Sequence, residues 1–168
     1  MLTFLRNLFK PKQINAAMAW ALIQNKAGKQ ASNQDKLAYW LYATPVHLVL
    51  QRDTFSLAAP VSLSLVANEV DALTTALNQH FSSDGLAFTW HQDTWFLSLP
   101  TNPQISTTAP QAAINKDISA YLPAGEGAIK WASFTNEIQM LLFEHPVNTA
   151  REAKNLPAIN SIWCYGGG

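Results

Sequence analysis

The polar side chains most able to do chemistry are concentrated in residues 145–168, where they alternate with apolar residues and precede three glycines. The residues of this set are His145, Asn148, Arg151, Glu152, Asn160, Gly166, Gly167 and Gly168. They do not make a recognisable catalytic set, because no nucleophile stands beside a base in a known pattern. The cluster therefore predicts a surface that binds a ligand or a protein partner whose identity the sequence does not specify.

Metal binding and nucleophilic catalysis have little support in the rest of the sequence. A metal site needs three or more converging His, Cys, Asp or Glu side chains, and no two of the four histidines have helical ligand spacing. The single cysteine, Cys164, lies in an apolar strand pattern, which predicts an unreactive packed thiol. No G-x-S-x-G nucleophile motif occurs. We therefore expect neither a metal nor a cofactor.

Three weaker signals leave alternatives open. Glu137 and Glu144 fall within about 20° on one helical face but roughly 10 Å apart, so a carboxylate pair and two solvated glutamates both fit. The glycines after Tyr165 would let backbone N–H groups approach a phosphate, although neither a lysine nor a helix follows them. Six cations in residues 1–36 are too few to predict nucleic-acid binding.

The composition predicts one globular domain to position these groups. The chain has 168 residues, of which 48% are apolar and 13% charged, whereas an average soluble domain has roughly 25% charged residues. One cysteine excludes an internal disulfide, and no apolar run approaches the ~20 residues of a membrane span. Arg6 and Asn7 interrupt the apolar N-terminal residues, and no signal-peptide cleavage site follows. We therefore expect a cytoplasmic protein.

Alternating apolar residues predict two β-hairpins, at residues 46–58 and 86–100, with a helix between them. The simplest arrangement is one small antiparallel sheet with helices on one face, an α+β fold with a C-terminal helical unit ending in a strand. Residues 37–43 fit either a short helix or an extended segment that ends before Pro45. Residues 101–117 fit a long surface loop or a hinge before the C-terminal unit.

The helical segments are predicted from apolar residues spaced three and four apart. In the first, Val70, Leu73, Leu77 and Phe81 form a core-facing stripe, and Asn68 with Asp71 approximates a capping box. The second runs from residue 129 to 144. Its stripe consists of Trp131, Phe134, Ile138 and Leu141, and Met140 and Phe143 lie on the opposite side, so we expect it to be covered on two sides.

The C-terminal helix and strand carry further expectations. Asn148 is the expected N-cap of a short helix through Lys154. Arg151 and Glu152 diverge by about 100°, so we expect Arg151 to bind the helix that contains Glu137 and to tie the two helices together. Residues 162–165 are apolar on both strand faces, which predicts either packing against the sheet or self-association through this strand.

The N-terminal residues 1–12 form a basic amphipathic pattern with apolar residues at helical spacing. Such a helix can lie on a membrane surface or dock on a partner. It can also pack on its own core, which is the simpler interpretation because so short a helix is marginal alone.

The stretch HPVNTAREAKNLPAINSIWCYGGG resembles the signature of bacterial RpfE-type regulatory proteins, which are also labelled cofactor-independent phosphoglycerate mutase-like. PVHLVLQRDTFSL and ALNQHFSSDGLAF extend the resemblance to about residues 40–168. Members of that family continue past the triple glycine, so the resemblance implies that residues 1–168 are the N-terminal part of a longer protein. The mutase label implies a two-metal site, a serine nucleophile and an early D-G-x-G motif. Here Asp84-Gly85 is followed by Leu86-Ala87, so the second glycine of that motif is missing.

These observations predict a single α+β domain that is a non-catalytic binding or regulatory module. The alternative is a phosphoglycerate mutase-like enzyme acting on phosphate esters, with its catalytic groups after residue 168.

Overall fold

The computed structural model describes residues 14–61 and 63–168. In chain order the strands are β1 (Tyr39–Val46), β2 (Leu48–Gln51), β3 (Thr54–Leu57), β4 (Ala87–His91), β5 (Thr94–Leu99) and β6 (Ser161–Tyr165). The helices are α1 (Ala16–Lys26), α2 (Asn33–Leu37), α3 (Ala67–Phe81), α4 (Ala128–Phe143) and α5 (Pro146–Ala153). The predicted α+β class is confirmed, whereas the helix expected in residues 1–12 lies outside the described residues.

The main sheet is antiparallel and has the order β4–β5–β1–β6. The expectation that both hairpins join one sheet is wrong, because β2 and β3 form a separate two-stranded sheet. The segment that fitted either a helix or an extended chain is largely β1, and it pairs with β5 on one side and with β6 on the other. Both edges of β1 are therefore occupied, and the β2–β3 hairpin packs elsewhere.

The two long helices, α3 and α4, cover one face of this sheet. The predicted stripe of α3 is buried and packs with Leu41, Leu97 and Ile162 from the strands. The predicted capping box at Asn68 is wrong, because the helix begins earlier, at Ala67. Glu69 instead accepts a hydrogen bond from the backbone N–H of Val66, with Oε1 and N 3.1 Å apart.

The opposite face is covered in two parts. Helix α1 packs on one half, where Trp20 stacks on Trp40 with ring centroids 5.1 Å apart. The β2–β3 hairpin and residues 110–121 pack on the other half, around Trp163. Two apolar layers therefore enclose the sheet, which explains why both faces of β6 are apolar.

The outer side of α4 is exposed, contrary to the expectation that this helix is covered on two sides. Met140 is 70% and Phe143 82% exposed. The sheet contacts only the side that carries Trp131, Ile138 and Leu142, and those three residues are buried. Among the described residues, no helix has the length and apolar character needed to cross a membrane.

Residues 101–117 pack along the domain. Leu57 accepts a hydrogen bond from the N–H of Asn115 at 2.9 Å, and Thr108 accepts one from the indole of Trp163 at 2.8 Å. The role of this segment as a hinge stays a prediction.

Candidate functional site

The carboxamide of Asn148 holds two chain segments together inside the domain. Its Nδ2 donates to the carbonyl oxygens of Leu142 and Ile159 at 2.9 and 2.8 Å, and its Oδ1 accepts from the N–H of Ile159 at 2.7 Å. Asn148 is 3% exposed, so these bonds are shielded from water. It is not the N-cap that the sequence predicted, because α5 begins two residues earlier, at Pro146.

His145 occupies the N-cap position instead. Its Nδ1 accepts a hydrogen bond from the backbone N–H of Val147 at 3.1 Å. Burial lowers the pKa of His145, although the backbone carbonyl of Ala72 acts in the opposite direction. The ring is therefore held neutral, as an acceptor at Nδ1 requires.

Arg151 makes an internal ion pair, but not with the helix where the sequence placed its partner. Its Nη1 lies 2.9 Å from Oε2 and 3.1 Å from Oε1 of Glu69 in α3, and its Nε donates to the carbonyl of Pro157 at 2.7 Å. The expected bond to the helix of Glu137 is wrong, because the start of α3 lies closer to the guanidinium. Glu137 instead contacts His80, with Oε1 and Nε2 2.7 Å apart.

The pKa of the Glu69 carboxylate is set by burial and by its contacts with Arg151 and Val66. Burial raises its pKa, but the hydrogen bond from Arg151, the one from Val66 and the charges of Arg151 and Lys154 outweigh burial, and the pKa lies below its ordinary value. Glu69 is therefore ionised at neutral pH. Its side chain caps the N-terminal end of α3 and also binds Arg151 of α5.

Asn160 and Glu152 differ in their surroundings. The Asn160 side chain pairs with the backbone of Leu48, accepting its N–H at 2.7 Å and donating to its carbonyl at 2.8 Å. This bond attaches the β2–β3 hairpin to the segment before β6. Glu152 is exposed on the outer side of α5. The binding role of this polar set stays a prediction, and its buried members bond to the protein's own backbone.

The glycines extend β6 along β1 and onto α1. Gly168 exchanges both backbone hydrogen bonds with Trp40, at 2.8 and 3.0 Å, and the carbonyl of Gly166 accepts from the N–H of Ala16 at 2.9 Å. The N–H of Gly166 donates to Oγ1 of Thr107 at 3.2 Å. An anion bound here would have to displace these bonds.

An apolar groove of about 320 Å³ lies between α4 and β6. One wall is a face of α4, the floor is four consecutive residues of β6, and the far wall is formed by β2–β3 and residues 118–123. The α4 residues that line it are Ala128, Trp131, Ala132, Thr135, Asn136 and Gln139. None of the described residues that line this α4–β6 groove is charged. Local sequence patterns did not predict this site, although small and amide side chains recur beside the Trp131 stripe at helical spacing.

Four of the polar side chains in the groove lie on α4 and at the start of β6, and Thr108 and Tyr121 line it elsewhere. Nε2 of Gln139 donates to Oγ of Ser161 at 3.2 Å, which joins the α4 wall to the β6 floor. Burial raises the pKa of the Cys164 thiol to about 12, so this groove residue is a thiol and not a thiolate at neutral pH. Among residues 14–61 and 63–168, no three His, Cys, Asp or Glu side chains are placed to hold a metal ion.

Comparison with known proteins shows a partial similarity. A segment of 61 residues, 36% of this chain, is 38% identical to part of the 2,3-bisphosphoglycerate-independent phosphoglycerate mutase of Methanothrix thermoacetophila. The match covers 16% of that enzyme. No protein-family model and no solved structure matches the chain. The similarity supports at most a partial relationship to such mutases, and the relationship to RpfE-type regulatory proteins stays a prediction.

Proposed function

We propose that this domain is a binding module that takes an uncharged, largely apolar ligand in the α4–β6 groove. The observation that carries the proposal is the lining, which combines apolar walls with a few amide and hydroxyl groups and has no charged side chain. Binding sites for small or extended ligands commonly combine these properties. A charged ligand would lose its hydration here without gaining a partner of opposite charge.

Buried and partly buried polar residues near the C-terminal end support this proposal indirectly. Asn148 and Arg151 fix the segment that leads into β6 by bonding Ile159 and Pro157. Asn160 fixes the hairpin that forms the far wall. Their hydrogen bonds therefore hold the floor and one wall of the groove in place, which is what a preformed site requires.

The test uses Nile red, an uncharged dye whose emission rises in apolar surroundings. We expect saturable binding to the purified protein and at least about tenfold weaker binding to Ala132→Trp, because an indole in the groove would exclude the dye. The control is Ala150→Trp, which adds the same side chain to an exposed position on α5. Dye binding that Ala132→Trp leaves unchanged would contradict the proposal.

The partial mutase similarity favours a second candidate, chemistry on phosphate esters with catalytic groups after residue 168. We expect the 168-residue chain to show no interconversion of phosphoglycerates with or without manganese. The measurement is turnover against a control without protein. Turnover that chelation removes would show that the chain itself carries a catalytic site.

A further inference from the structure

The floor of the α4–β6 groove is the edge strand of the main sheet. Strand β6 pairs with β1 on one side, and within residues 14–61 and 63–168 no strand lies beyond it. Residues along a strand in an antiparallel pair point their backbone groups alternately toward one neighbour and toward the other side. Which groups of β6 face the groove therefore depends on the phase of its pairing with β1.

That phase follows from two observations. Trp40 exchanges both of its backbone hydrogen bonds with Gly168, so every second residue of β1 from Trp40 onward points toward β6. Tyr42 and Thr44 are paired with Tyr165 and Trp163. The backbone groups of Ile162 and Cys164 must then point away from β1.

These two residues have backbone hydrogen-bonding groups that no described residue uses. Neither Ile162 nor Cys164 makes a backbone hydrogen bond to any described residue outside the β1–β6 pairing. Both line the groove. Two N–H and two C=O groups are thus offered at the bottom of an apolar channel, in the spacing that an added β-strand would match.

Resting on the proposed function, we infer that the ligand is an extended peptide segment with apolar side chains that adds to the edge of β6 in the α4–β6 groove. Backbone pairing with Ile162 and Cys164 supplies its register. The amides of Asn136 and Gln139 on the α4 wall can bond further peptide groups. The uncharged lining selects apolar side chains over acidic or basic ones.

The shape of the groove favours a single strand over other protein occupants. A helix satisfies its own backbone groups and would leave those of Ile162 and Cys164 unpaired. Pairing through the β6 edge of a second copy would instead give a dimer, which light scattering detects. One extended chain fits between the walls and pairs with the floor.

The experiment selects peptides from a displayed library of random nine-residue sequences on the purified protein, and counter-selects on Ala132→Trp. We expect enriched sequences with apolar residues at every second position, since alternate side chains of a strand face the same wall. The best peptide is then synthesised with single N-methyl groups at successive amides. Methylation at alternate positions should weaken binding about five- to tenfold, the equivalent of one lost hydrogen bond, and the intervening positions should tolerate it.

The outcomes separate this inference from the proposed function. If Nile red binds in an Ala132-dependent way but no peptide is enriched, the groove binds ligands and the peptide inference is wrong. Enriched peptides with helical spacing, or with no two-residue period in the methylation series, would also overturn it. A dimer that Ala132→Trp abolishes in light scattering would assign the groove to a second copy. If neither dye nor peptide depends on Ala132, both proposals fail.

Discussion

Two asparagine side chains near the C-terminal end, one buried and one partly buried, bond backbone groups of other chain segments. The carboxamide of Asn148 pairs with Ile159, and that of Asn160 pairs with Leu48, each through both an oxygen and a nitrogen. The sequence shows that these residues are polar among apolar neighbours. It cannot show their partners, because Leu48 is 112 positions away from Asn160.

Removing Arg151 should destabilise the domain. The pair with Glu69 is largely shielded, with side chains 4% and 18% exposed, and leaving one member of a buried pair alone typically costs about 3–5 kcal/mol. We expect Arg151→Ala to lower the free energy of unfolding by about 3 kcal/mol, near the low end because Glu69 keeps some water contact. The measurement is urea unfolding followed by tryptophan fluorescence.

A double-mutant cycle with Glu69→Ala isolates this pair. The free energy of unfolding that the double variant loses should be clearly smaller than the sum of the losses of the two single variants, because each single change already breaks the contact. Additive losses would show that Arg151 acts through Pro157 alone.

Mild acid should weaken the fold through His145. Because burial holds its folded pKa below the ordinary 6.5, the unfolded chain binds the proton more readily. This contribution to stability is complete above the unfolded pKa and is lost as pH falls through the folded one. His145→Asn keeps an N-cap acceptor without a titrating ring, so its unfolding free energy should fall less than that of the wild type between pH 7.5 and 5.5. An equal fall would assign the effect to other groups.

Glu69 should act in a more acidic window. Its folded pKa lies below the ordinary 4.5, so its stabilising effect is present above the unfolded pKa and disappears as pH falls through the folded value. The Arg151→Ala variant should therefore lose part of the stability change that Glu69 causes in this acidic window. It should keep the change that His145 causes nearer neutral pH.

At the scale of elements, the glycine turn after β6 is held by close packing. Gly166 has a φ of +67°, and a Cβ there would lie 2.7 Å from the ring of Tyr42. Gly28 offers a matched control, with a φ of +69° and no atom of a described residue within 4 Å of the added carbon. Gly28→Ala should therefore cost only the strain of the left-handed backbone, about 1–2 kcal/mol.

Gly166→Ala should lower the free energy of unfolding by about 1–3 kcal/mol more than Gly28→Ala does, because overpacking of a well-packed site typically costs that much. The measurement is the difference in unfolding free energy between the two variants. Equal losses would indicate that Tyr42 can move aside, and that the turn is less constrained than its contacts suggest.

The separate elements were largely predictable from local patterns, and their pairing was not. The spacing of Val70, Leu73 and Leu77 identifies α3, and alternation identifies β4 and β5. The pairing of β1 with β6 joins residues more than a hundred positions apart, so no local pattern contains it. The α4–β6 groove was missed for the same reason, because it exists only once that pairing forms.

For the whole molecule, β6 is part of the core and its loss should be severe. The structure realises the alternative in which this strand packs against the sheet, with Ile162 on one face and Trp163 on the other. A version ending at Leu156 lacks both Ile162 and Trp163. We therefore expect its melting temperature to fall by more than about 10 °C, or its cooperative unfolding transition to disappear. A truncated chain that melts as the wild type does would contradict this.

Self-association through β6 stays a prediction that light scattering of the full chain tests. The exposed apolar side of α4 gives this experiment a control. Phe143→Ser should leave the melting temperature nearly unchanged, because Phe143 is 82% exposed. If it also abolished an observed dimer, the interface would be α4 and not the strand.

The stacked indoles of Trp20 and Trp40 have an optical consequence. Their planes are inclined by only 23°, and two such chromophores in contact couple their electronic transitions. The protein should therefore show a paired positive and negative band in its far-ultraviolet circular dichroism, which Trp20→Phe removes. Because Trp20 lies on α1 and Trp40 on β1, this signal reports the docking of α1 on the sheet face opposite the long helices. It would disappear if α1 detached while the rest of the domain stayed folded.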